Sequence, residues 1–271
     1  MSPLKVDTHE RPVSQPDVVW HLPHDAMEIP AEVREQFVLS DSELADELLC
    51  MTDHATARLF GLDVRDPAVV RAPVSRLVVD VERFPDDADE PMAARGMGLI
   101  YRSTSDGRSL RRPISSQERQ TLLNAWYWPH HRRLEAAVDR AIGRHGRCLL
   151  IDCHSFPSRP LPYEPDQNPV RPEICLGTDD YHTPADLLHA ALEAFRAEGF
   201  QIATDRPFAG ALVPLSRYRR DPRVRALMVE VKRGLYMDES TGRWLPSADA
   251  VSARIQCVLA HLRTPKPTGK E

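Results

Sequence analysis

Three apolar runs constrain the fold of this chain more than any other feature. They are "RLVVDV" at 76–81, "CLLI" at 148–151 and "ALMVEV" at 226–231. Short apolar runs of this kind, bounded by loop residues, read as buried strands. Each has a carboxylate inside it or at its end: Asp80, Asp152 and Glu230. Shorter strands are expected at Val18–Leu22, Ile174–Leu176 and Gln201–Thr204. Helical patterns lie between them. One helix starts after Ser40, with Glu43 completing a capping box and Leu44, Leu48, Leu49 and Met51 as its apolar face. It resumes through Ala55 to Phe60. A second starts near Ser115 with Glu118 as box partner and runs to about Gly143, with an interruption at Pro129. Pro184 opens a third that ends at Gly199. Ser247 caps a last one to about Leu262. Strands alternating with helices predict an α/β fold with a mainly parallel sheet and helices on both faces.

The 271 residues suit one sizeable domain or two small ones, with enough chain to bury a real core. The net charge of −5 gives no reason to expect nucleic acid. A local cluster, Arg217, Arg219, Arg220, Arg223 and Arg225, reads as a solvated loop with one or two useful arginines. No apolar run reaches membrane-span length, and the polar start "MSPLKVDTHERPVSQPD" lacks the apolar middle of a signal peptide. Five cysteines, an odd number without CxxC spacing, argue against a disulfide framework and against structural zinc fingers. A reduced, cytoplasmic protein is the expectation. Residues 1–16 read as a loose arm, 17–263 as the domain and 264–271 as a disordered tail. Residues 84–114 and 156–173 read as long loops, the first with a hairpin turn at "TSDGR".

The candidate chemistry gathers where strands stop. His24 follows the first strand after Pro23, and the strand at Cys148–Ile151 runs into Asp152, His154 and Ser155. Ligands of open α/β sheets bind beyond the carboxyl ends of the strands. Two histidines and a carboxylate converging there match the ligand count of a catalytic zinc. Asp152 alternatively orients His154, and each histidine taken alone is a structural or surface residue. Glu230 sits within an apolar strand, where burial raises a carboxyl pKa toward that of a general base. The alternative is an edge strand with Glu230 and Lys232 facing water. Strand alternation puts Asp80 and Glu82 on one face. Arg83 at its end could form a bidentate pair with a substrate carboxylate, or an internal ion pair with Asp80, Asp86 or Asp87. There is no G-x-S-x-G elbow and no glycine-rich phosphate loop.

Eight blocks, "LPHDAMEIP", "TDHATARLF", "SRLVVDVERFPDD", "WPHHRRL", "LIDCHSFPS", "ICLGT", "PFAGA" and "VEVKRGLYMDE", occur in the order of the N-formylglutamate amidohydrolase family. The chain resembles that family from Val18 to about Leu262. The family itself resembles the zinc carboxypeptidases and aspartoacylases. The resemblance implies a single three-layer α/β/α domain and hydrolysis of an N-acyl amino acid by a zinc-activated water. One Zn2+ per chain, or another divalent metal, would be held by His24, Asp53 and His154, with Glu28 competing with Asp53. Glu230 falls on the general base. Glu82 and Arg83 fall on an Asn-Arg pair that reads substrate carboxylate, and Arg76 on an arginine that assists the oxyanion. Arg217 is a second candidate for the substrate carboxylate.

Three departures bear on the substrate. Asp25 and Ala26 replace the usual small pair after the first histidine. Glu82 replaces the asparagine. Gly210 and Ala211 replace a Gly-Gly pair. The added acid points to a less anionic, polar or even cationic substrate. Two other readings stand beside a zinc amidohydrolase: a repurposed, non-catalytic relative, and a carboxypeptidase acting on short peptides.

Overall fold

The computed structural model describes residues 17–263; the arm and tail expected at the two ends lie outside them. In chain order the elements are β1 (Asp17–Leu22), α1 (Ala31–Arg34), α2 (Asp41–Met51), α3 (Thr56–Leu59), β2 (Val69–Arg71), α4 (Ser116–Leu122) and α5 (Trp128–His145). They continue with β3 (Cys148–Phe156), β4 (Ile174–Gly177), α6 (Ala185–Ala197), β5 (Ile202–Thr204), β6 (Val224–Lys232), the small hairpin β7 (Met237–Asp238) and β8 (Arg243–Trp244), and α7 (Ala248–Arg263). Six strands form one sheet in the order β2-β1-β3-β6-β4-β5. All neighbours in it are parallel except β4 and β6, which run antiparallel.

Side chains alternate across this sheet, and the alternation sorts the core. Leu149, Ile151 and Cys153 of β3 join Trp20, Leu227 and Val229 in a cluster closed by Phe195 of α6 and Ile255 of α7. Cys148 and Leu150 face the other way, with Val19 and Ala226, against Leu134, Val138 and Ala141 of α5. Helices therefore cover both faces, and all nine residues of β3 are buried. A third cluster, around Phe37, Leu77, Met97, Tyr101 and Tyr127, sits under the long segment between β2 and α5.

Helix signals were legible locally. Ser40 and Glu43 form a capping box at α2, and Ser115 and Glu118 form one at α4. The interruption expected at Pro129 takes the form of a π-turn over Leu123–Tyr127 that joins α4 to α5. Thr104 and Arg108 close a turn around Asp106 and Gly107, as "TSDGR" predicts.

Two strand expectations need correction. Residues 76–81 form turns, not a strand. The backbone folds back on itself, with Val78 N donating to Ser75 O. Arg111, not a neighbouring strand, donates to the carbonyls of Leu77 and Val78. The valines are buried all the same, Val78 and Val79 in the third cluster, so their apolarity reports burial and not extension. Strand β3, in turn, continues through Phe156, in register with β6 as far as Phe156 and Lys232. The apolar pattern stops at Ile151 because the residues beyond it on one face are polar; the backbone ladder does not stop there.

Candidate active site

The face that packs α5 is apolar only over the first half of the strands. Farther along the same face β3 carries Asp152 and His154, β1 carries His21, and β6 carries Glu230. Register sets them side by side: His21 is opposite Asp152, and His154 is opposite Glu230. His24 lies just beyond β1. Its backbone carbonyl accepts from Asp53 N at 2.9 Å, which pins the turn after α2 against it. Ser155 N donates to Asp53 Oδ2 at 3.2 Å, fixing that carboxylate from the β3 side.

The two histidine rings stand 5.1 Å apart. Asp53 Oδ2 lies between them, 3.8 Å from His24 Nδ1 and 3.2 Å from His154 Nδ1. The opposite nitrogen of each ring meets other carboxylates. His24 Nε2 is 2.9 Å from Asp80 Oδ1, and His154 Nε2 is 3.1 Å from Asp152 Oδ1 and 3.2 Å from Glu82 Oε1. Asp80 is held in turn by Arg76 Nη2 at 2.9 Å and the Tyr101 hydroxyl at 2.5 Å. Arg233 Nη2 donates to Asp53 Oδ1 at 2.9 Å.

Burial, aided by the nearby Arg76 charge, pushes the His24 pKa below its usual value, which favours the neutral imidazole that binds metals. For His154 burial works against the charged ring, but Glu82 and Asp152 outweigh it and raise the pKa well above the usual histidine value. Asp53 is also opposed by burial, yet His154 and Arg233 hold it well below the carboxylate range. For Glu230 burial wins over the opposing charges of His154 and Arg233. Burial pushes its carboxyl up to about 8, and its Oε2 has no hydrogen-bond partner.

These residues fit a divalent cation. His24 Nδ1 is buried and unpartnered, and it faces the same oxygen, Asp53 Oδ2, as His154 Nδ1 does. Two imidazoles and one carboxylate are a donor set for a catalytic zinc, and each outer nitrogen rests on a carboxylate, one of the partners that metal-bound histidines commonly use. Among the described residues, the ligand atoms that all lie within 4.8 Å of one another join His24 and His154 to Glu82, not to Asp53. That grouping uses the Nε2 side, where Asp80 is closer to His24 (2.9 Å) than Glu82 is (3.5 Å). A second group, His21, Glu82 and Asp152, has both His21 nitrogens engaged, with Asp152 Oδ1 and His130 Nε2 each at 2.8 Å.

The expected site residues do not all meet here. His24, Asp53, His154, Glu82 and Glu230 do. Glu28 is exposed and its carboxylate accepts from Met27 N, so it leaves the ligand set. Arg217 is also set apart, because Glu135, Asp139 and Asp221 hold its guanidinium. Arg76 spends Nη2 on Asp80 and Nε on Tyr101, which makes it a support for His24 through Asp80. Arg83 lies beside Asp80 and Glu90, at 3.5 and 3.6 Å, and its buried Nε has no hydrogen-bond partner. Asp25, one of the departures, is paired with Arg71 at 2.9 Å. Arg233, His21 and Tyr101 were not foreseen. Only Arg233 had a usable signal, a lone arginine three residues after Glu230.

The site is thus a buried pair of histidines sharing a carboxylate, next to a glutamate whose Oε2 has no hydrogen-bond partner, at the end of the mostly parallel sheet of an α/β protein. The sequence model of one family, N-formylglutamate amidohydrolase, matches residues 17–237. The chain belongs to the N-formylglutamate amidohydrolase family. Among solved structures it is similar to an N-formylglutamate amidohydrolase from Ralstonia eutropha JMP134, at 23% identity and a TM-score of 0.78, covering 92% of each chain. It is also similar to gene product Atu2144 from Agrobacterium tumefaciens, at 19% identity and a TM-score of 0.61, covering 91% of this chain and 92% of that one. At these identities the structural likeness concerns the fold. No curated protein matches the chain.

Proposed function

We propose that the protein is a metal-dependent amidohydrolase that cleaves the amide bond of N-acyl amino acids, N-formyl amino acids such as N-formylglutamate in particular. Family membership supports the reaction class. The observation that carries the metal is the unpartnered His24 Nδ1 beside Asp53 Oδ2 and His154 Nδ1. His24, Asp53 and His154 would hold the ion, with zinc the best match to the donors and another divalent metal an alternative. When bound, it supplies a Lewis acid at the scissile carbonyl and a more acidic water.

The residues do the rest. Glu230 takes a proton from the attacking water as the oxygen bonds to the carbonyl carbon. It then delivers a proton to the amide nitrogen as the C–N bond breaks, giving a carboxylic acid and a free amino acid. A pKa raised toward neutrality suits a group that both accepts and returns a proton. Arg83, which lines the cavity beside the site, receives the substrate carboxylate on its guanidinium. Arg76 and Tyr101 hold Asp80, and Asp80 holds His24. Arg233 keeps Asp53 ionised and in place.

The substrate is a small molecule. Among the described residues no helix is long and apolar enough to cross a membrane. The cysteines are all free, which supports a reducing compartment such as the cytoplasm.

The test is release of free amine from a panel of N-formyl and N-acetyl amino acids by the zinc-loaded protein. Release from at least one member is the expected result. No release from any, with the metal bound, would contradict the reading.

A further inference from the structure

A cavity of about 360 Å³ opens beside the site, within the size range of small-ligand pockets. Glu82 and Asp152, the two carboxylates on His154 Nε2, belong to its wall. So does Arg83, the lone Lys or Arg among the described residues that line it. Much of the remaining wall is apolar, including Phe84, Met92, Leu212, Leu215 and Met228. Phe84 and Leu215 are among the few large apolar side chains left exposed, 39% and 42%.

The charges in this wall are lopsided. Four carboxylates line it, Glu82, Glu90, Asp152 and Asp179, against one guanidinium. All four have neighbours, Glu82 through His154 Nε2 at 3.2 Å. Glu90 accepts from Met92 N and Phe84 N. Asp179 accepts from Tyr181 N and His182 N. Asp152 is bonded to His21 and accepts from Leu212 N. Glu82 is the acid at the boundary between cavity and site, close to His154 and His24.

An N-acyl amino acid brings one α-carboxylate, and Arg83 can take it. A glutamate side chain brings a second. That second carboxylate would enter a wall with no other Lys or Arg among the described residues and with Glu82 close by, where like charges raise the cost of ionisation. A cationic side chain gains little, since the four acids already satisfy other groups and burying an ammonium beside apolar residues is costly. An apolar side chain meets none of these penalties and gains from covering Phe84, Met92 and Leu215.

We infer that the pocket selects monoanionic N-acyl amino acids with an uncharged, apolar side chain over N-formylglutamate, with Glu82 as the residue that disfavours the dianion. The inference rests on the amidohydrolase reading for its orientation: α-carboxylate on Arg83, side chain in the cavity.

The experiment has two readouts on the zinc-loaded full chain. Binding of N-formyl-leucine, N-formyl-methionine, N-formylglutamate and N-formyl-lysine is measured calorimetrically with the Glu230→Gln variant, and kcat/KM for the same four with the wild type. Leucine and methionine derivatives are expected to bind at least tenfold tighter than the glutamate derivative, with the same order in kcat/KM. Glu82→Gln is expected to narrow the gap about tenfold, mainly by strengthening the glutamate derivative. Glutamate binding as tightly as leucine, or lysine binding tightest, overturns the inference. The expected binding order without turnover of any compound overturns the hydrolase reading and leaves the pocket assignment standing. Turnover led by glutamate does the reverse, and no binding by any compound overturns both.

Discussion

Replacing Glu230 with glutamine should lower kcat by about 10²–10⁴-fold, the usual worth of a positioned general acid–base. Metal content should stay at one ion per chain. Glu230 is a buried carboxyl whose Oε2 has no partner, and burial outweighs His154 and Arg233 to push its pKa up to about 8. Glutamine keeps the size and removes only the proton traffic. The change also removes a costly buried carboxyl, so the variant should fold at least as well as the parent. Steady-state rates on the best N-formyl substrate, with zinc quantified by atomic absorption, decide the matter. Wild-type turnover in Glu230→Gln would remove the base from this account.

The second large effect concerns the ligands. His154→Ala should lose stoichiometric zinc and, with it, turnover to background, and His24→Ala should do the same. Asp80→Asn should be milder. It leaves both histidines but weakens the hydrogen bond that orients His24 Nδ1, and changes of this kind typically cost 10- to 100-fold in metal affinity. This gradation separates ligands from their supports, and circular dichroism checks that each variant is folded. Full zinc binding by His154→Ala would place the metal elsewhere.

The sequence carried parts of this site unevenly. Glu230 and His154 were legible because charged side chains interrupted apolar runs, and β3 and β6 then turned out to be adjacent, with the two residues in register. Nothing local marked Asp53. It joins the site through a backbone bond to His24, 29 positions earlier in the chain (53 − 24), a contact no periodicity reveals. "RLVVDV" misled because buried valines look alike in strands and in turns, and the Arg111 guanidinium that serves its carbonyls lies 30 residues beyond its last residue (111 − 81). Arg217 misled for a related reason. A cluster of arginines in sequence does not show that Glu135, Asp139 and Asp221 will fold around one of them. The helix caps at Ser40 and Ser115 were readable because both partners lie within one turn.

Turnover should depend entirely on the metal. The direct measurement is turnover of an N-formyl amino acid before chelation, after the metal content has been brought below detection, and after one equivalent of zinc is returned. Loss to background on removal and recovery on return are the expected results. Full turnover by protein shown to be free of metal would contradict that dependence.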